Sequence, residues 1–180
     1  MGAVRSNPVT AVILVLALCT IALDAHAWGL GTHVYFAEAP TVLPLAVPAF
    51  VLAVKRFPQW VVAGACLPDL VLFGRNCGTQ AFEGNHQWRM AHRLLDTARS
   101  DEEKAAAVGY ASHLVIDVMA HNHFVPSHDQ RWIHVPRFTH VAAEWAMDVH
   151  LGERIKIWPA EALQALSGAL TGYVSDSFSC

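Results

Sequence analysis

His113, Asp117 and His121 stand four residues apart in this 180-residue chain. On a helix, each step of four turns the side chain by about 40°, so all three share one face. An imidazole and a carboxylate one turn apart can hold a single divalent metal ion. His140 and Glu144 repeat the device further on. Either pair alone is common by chance and reads as a solvated helix face or a buried His–carboxylate hydrogen bond. Two such pairs on successive segments, in a chain with 11 histidines, point to ligands instead. Leu114, Val115, Ile116, Val118 and Met119 surround the first pair, so that helix is expected to be buried, and buried carboxylates need partners.

The other candidates are weaker one by one. Asp69 follows Pro68, which in isolation is turn chemistry. His86 follows a Gly-rich stretch and alone is an ordinary histidine. Trp28 and His33 gain meaning from what precedes them. Arg5 supplies a positive start, Val9 to Leu23 an apolar run too short to span a bilayer comfortably, and Ala25-His26-Ala27 a signal-peptidase site. Residues 1–27 therefore read as a cleaved export signal. The mature chain, 28–180, is expected in a secreted or periplasmic location. A cut after Ala27 makes Trp28 the N-terminus, with an α-amino nitrogen and a carbonyl oxygen able to chelate a metal. An uncut leader leaves Trp28 an internal residue without that pair.

Taken in order, these residues resemble the zinc-dependent phospholipase C family, relatives of the S1/P1-type single-strand nucleases. The family order is Trp, His, Asp, His, H-x3-D, His, then H-x3-E or H-x3-D. Here it is filled by Trp28, His33, Asp69, His86, His113 with Asp117, His121 or His123, and His140 with Glu144. The resemblance implies an all-α fold and up to three Zn2+ ions. Trp28, His33 and Asp117 would hold one ion, and His86, His113 and a bridging Asp117 a second. His140, Glu144 and one histidine of the 121–123 segment would hold the third. Asp69 would be the catalytic group, a general base or water-orienting carboxylate. His121 is favoured if its helix continues, because a residue six positions on points about 120° away from Asp117. His123 takes its place if the helix ends first.

The implied activity is zinc-dependent phosphodiester hydrolysis, foremost a phospholipase C releasing diacylglycerol and a phosphorylated head group. A single-strand nuclease and a non-catalytic zinc protein of the same fold are the alternatives. The short segment after Glu144, residues 145–180, keeps the last one open. A net charge of −3 with no basic run excludes nucleic acid as a stable electrostatic partner. The expected partners are a phospholipid or other phosphodiester substrate and a peripheral membrane contact, with the chain a monomer.

Helices must position these residues. The pattern predicts them over His33–Ala39, over Leu43–Arg56 with kinks at Pro44 and Pro48, and over an apolar Val61–Leu67 ending at Pro68-Asp69. Residues 74–85 read as a loop. A helix over His86–Arg99 turns Trp88, Ala91, Leu94 and Leu95 inward. Ser100-Asp101-Glu102-Glu103 is a capping box opening a helix to about Asn122, and Pro126 bars continuation. Pro136 starts another helix ending near Gly152, and Pro159 a last one to about Val174. The fold class is all-α, a compact multi-helix bundle of five to seven helices in one domain, with 54% hydrophobic residues to fill its core. Its tryptophans are expected in the core or cleft wall. His92, His128, His134 and His150 have no place in the metal pattern. Export permits a Cys66–Cys77 disulfide.

Overall fold

The capping box opens the central helix. Ser100 Oγ accepts the Glu103 N–H (3.1 Å), and the Glu103 carboxylate accepts the N–H groups of Ser100 (3.1 Å) and Arg99 (2.6 Å). In this computed structural model, which describes residues 29–39, 47–74, 86–127 and 136–178, seven α-helices and no strand occur among the described residues. They are α1 (Leu30–Glu38), α2 (Pro48–Arg56), α3 (Pro58–Gly74), α4 (Trp88–Thr97), α5 (Asp101–Met119), α6 (Pro136–Gly152) and α7 (Pro159–Phe178). A π-helical segment, Ala120–Phe124, continues α5. The all-α bundle is the fold the sequence predicts.

Helix α5 is the axis. From Ala105 to Leu114 every residue is buried, because helices pack on all its sides. Its most extensive partner is α3. The two approach backbone to backbone through glycines. A Cβ on Gly64 would overlap the Ala106 carbonyl, and one on Gly109 would overlap the Val61 carbonyl. Alanines 105, 106, 107 and 111, with Val61, Val62, Ala63 and Ala65, fill the seam without holding the helices apart. On another side Tyr173 of α7 donates its hydroxyl to the Leu94 carbonyl of α4 (2.5 Å).

Helix α1 is tied at both ends by carboxylates. Asp148 of α6 accepts hydrogen bonds from the N–H groups of Gly31 and Thr32 at its start. At its end Glu38 accepts from the N–H groups of Lys156 (3.1 Å) and Ile157 (2.7 Å) in the α6–α7 connection.

Several expectations need correction. Helix α3 does not stop at Pro68-Asp69 but runs through to Gly74 with Pro68 inside it. Pro68 is fully buried, so packing compensates for the backbone bond that the ring removes. Helix α4 starts at Trp88, leaving His86 in the preceding turn. Trp88 faces outward at 45% exposure, whereas Ala91 and Leu94 are buried as expected. Trp145 and Trp158 are likewise exposed, while Trp60 packs against the core. Pro126 does not end the helical path, which continues over 125–127 after the π-helical segment. Cys66 is a free thiol, fully buried, with burial pushing its pKa up to about 12, and Cys77, its expected partner, lies outside the described residues. Among the described residues no single helix is long and apolar enough to cross a membrane.

Candidate metal centre

Helices α1, α3 and α5 and the turn before α4 each aim a ligand-type side chain at one buried point. The anchor is His113. Its ring nitrogen Nδ1 lies 2.8 Å from the Ala65 carbonyl of α3. A carbonyl only accepts, so Nδ1 carries a proton, and Nε2 is the ring nitrogen turned into the cluster. This is the outer-sphere arrangement that fixes metal-binding histidines. Ala65 lies in α3, one turn before Asp69.

Around His113 Nε2 lie His86 Nε2 at 3.3 Å, Asp117 Oδ2 at 3.6 Å and Asp69 Oδ1 at 3.7 Å. His86 Nε2 is 3.3 Å from Asp69 Oδ1 and 3.5 Å from Asp117 Oδ2. Across the cluster, His33 Nε2 approaches Asp117 Oδ1 to 3.4 Å. The His33 and His113 rings stack at 3.7 Å between centroids. Two groups therefore have metal-ligand spacing, His86 with His113 and Asp117, and His33 with Asp69 and His113.

The electrostatics follow from burial. Burial and the charge of His113 lower the His33 pKa, against the pull of Asp117 and Asp69, so His33 is held neutral. Half-exposed His86 has its pKa raised, first by the adjacent Asp69 carboxylate, against a smaller burial effect. Burial alone would raise Asp117, but the facing His113 and His33 imidazoles outweigh it and hold the carboxyl well below the usual range. Glu144 of α6 is pushed up to about 8, by burial and then by the negative charges of Asp117, Asp69 and Asp148. Without a cation this carboxylate keeps its proton near neutral pH.

The zinc-dependent phospholipase C family model matches residues 32–179. The chain belongs to the zinc-dependent phospholipase C family. No curated protein and no solved structure matches it.

The residues fit the zinc that the family description names. Buried His33 Nδ1 and Nε2, Asp69 Oδ1 and Asp117 Oδ1 make no hydrogen bond within the protein. Buried polar atoms left so are costly unless something else meets them. A cation among imidazole nitrogens and carboxylate oxygens is the partner their chemistry calls for.

For this family member, the structure brings together His33, Asp69, His86, His113 and Asp117. Asp69 stands among the nitrogens at the same range as Asp117, not apart from them. In the π-helical segment the two histidines diverge. His121 Nε2 comes to 4.0 Å from Asp117 Oδ1, while His123 is exposed. The wider turn is a common feature of functional sites in helices. Glu144 is buried at 3% exposure. His140 lies in α6 one turn before it, but its side chain falls outside the described residues, as does Trp28 entirely.

Sequence reasoning missed Asp148 and the Ala65 carbonyl. Asp148 had a signal, since it continues the four-residue spacing of His140 and Glu144 along α6. The carbonyl had none, because every residue carries one.

Proposed function

We propose that this member is an exported zinc-dependent phosphodiester hydrolase acting on phospholipids as a phospholipase C. The observation that carries the reading is the convergence of three histidines and two carboxylates, with buried atoms left unpaired, in a chain of this family. The phospholipid as substrate, export after cleavage behind Ala27 and contact with a membrane surface are parts of the proposal.

His86, His113, Asp117 and Asp69 would hold zinc on one side of the cluster. His33, Asp117 and the Trp28 amino terminus would hold it on the other. Glu144, His140 and His121 would form a further subsite. When bound, zinc supplies positive charge that polarises phosphate oxygens and lowers the pKa of water. The chain's own residues do the rest. The Ala65 carbonyl fixes which nitrogen His113 presents. Asp117, its pKa held below the usual carboxylate range, is anionic and would bind without first losing a proton. Asp69 offers an oxygen at the same centre, placed to orient water or accept its proton. Half-exposed His86 lies on the open side of the cluster, where substrate can approach.

A chromogenic phosphodiester, with and without chelator, tests hydrolysis. Phosphatidylcholine against single-stranded DNA then tests the substrate class. Chelator-sensitive turnover of the lipid supports the proposal. Turnover of DNA alone replaces it with a nuclease, and no turnover by zinc-loaded protein contradicts both.

A further inference from the structure

We infer that Asp148 is a positioning residue that seats α1, and with it His33, in the metal centre. The inference rests on the proposed zinc site.

Helix α1 lacks a cap of its own. Its N-cap residue is Gly29, which has no side chain to accept the orphan N–H groups of the first turn. Asp148, more than a hundred residues away, takes that role. Its Oδ1 accepts from the Thr32 N–H (2.7 Å) and the Thr32 hydroxyl (2.6 Å), and its Oδ2 from the Gly31 N–H (3.2 Å). A carboxylate is also favoured there by the helix dipole. The fit is close. A Cβ on Gly29 would overlap the carboxylate, and one on Gly31 would lie 3.3 Å from Asp148 Cγ and 3.2 Å from Ile155 Cδ1.

The consequence reaches His33, the next residue after Thr32. His113 is oriented by the Ala65 carbonyl, but both ring nitrogens of His33 make no hydrogen bond. The stacking on His113 fixes the plane of the ring and not which edge faces Asp117. That edge is set by where the α1 backbone sits, and Asp148 holds the backbone at that turn. Asp148 stands one turn beyond Glu144 on α6, so the helix carrying the proposed third subsite also clamps the helix carrying His33.

The test compares the chain lacking residues 1–27 with its Asp148→Asn and Thr32→Val variants. The readouts are zinc stoichiometry by chelator competition, the visible spectrum of the cobalt-substituted protein, and hydrogen exchange of α1. Asp148→Asn is expected to weaken one zinc class by about tenfold or more. It should alter the matching cobalt bands and speed amide exchange in residues 30–38, with α3 and α5 unchanged. Thr32→Val removes only the hydroxyl bond and should move all three readouts less, in the same direction. If Asp148→Asn fails to fold, Thr32→Val decides by its zinc class and cobalt spectrum. Wild-type protein that binds zinc while the folded variants keep its stoichiometry, affinity and spectrum would overturn the inference and leave the proposed function standing. Wild-type protein that binds no zinc would overturn both.

Discussion

His113 carries two duties through two nitrogens, one to the Ala65 carbonyl and one to the metal centre. His113→Ala therefore removes a buried hydrogen bond between α5 and α3 as well as a ligand. The metal-free fold is expected to lose roughly 1–3 kcal/mol by denaturant titration, and zinc binding is expected to fall in parallel. Glu144 gives a prediction with a pH signature. Its folded pKa, about 8, lies above its ordinary 4.5. Below pH 4.5 the carboxyl is protonated in folded and unfolded chains alike, so its contribution to stability is fully present. As pH rises toward 8 the unfolded chain releases the proton and the folded chain does not, so stability is lost across that window. Glu144→Gln should therefore melt higher than wild type at pH 8 in chelator and similarly at pH 4. With zinc present wild type should gain more. Identical melting of the two proteins in chelator at pH 8 contradicts this account of Glu144. These ligand types were legible in the sequence because the four-residue spacing of His113, Asp117 and His121 carries its own geometry. Asp148 shared that spacing with His140 and Glu144, but its role was not legible, since its partners Gly31 and Thr32 lie more than a hundred residues away and only the folded chain joins them.

At the scale of elements, the site depends on how closely α3 and α5 approach. Gly109→Ala puts a methyl group into the Val61 carbonyl, and the helices must separate. We expect a loss of about 3 kcal/mol and, because Ala65 then draws back from His113, weaker zinc binding as well. Denaturant melts with zinc titration check both. Ser100→Ala removes the cap of α5 far from the metal, with an expected cost of about 1 kcal/mol and zinc affinity unchanged. The contrast separates stability from site geometry. Capping and proline punctuation made three helix starts readable, at Ser100, Pro136 and Pro159, whereas Pro48, read as a kink within Leu43–Arg56, is the first residue of α2 after an extended Val47. The same rules misled at Pro68 and Pro126, which sit within helical path. Burial against α5 decides the first case. The π-helical turn that carries His121 left no mark in the sequence.

For the molecule as a whole, the metal and the fold are one problem. Three carboxylates, Asp69, Asp117 and Glu144, are gathered in a helical core, with histidine nitrogens 3.3 to 3.7 Å from the first two. Zinc binds the folded arrangement and not the unfolded chain, so stability should rise with free zinc by mass action, about 2.7 kcal/mol at a hundredfold excess over Kd. Calorimetry across a zinc series reads this directly. The measurement closest to the central claim is the release of a phosphorylated head group from phosphatidylcholine vesicles by the zinc-loaded chain lacking residues 1–27. The account predicts release that chelator and Asp117→Asn both abolish. Stoichiometrically loaded protein that releases no head group from any phospholipid would contradict it.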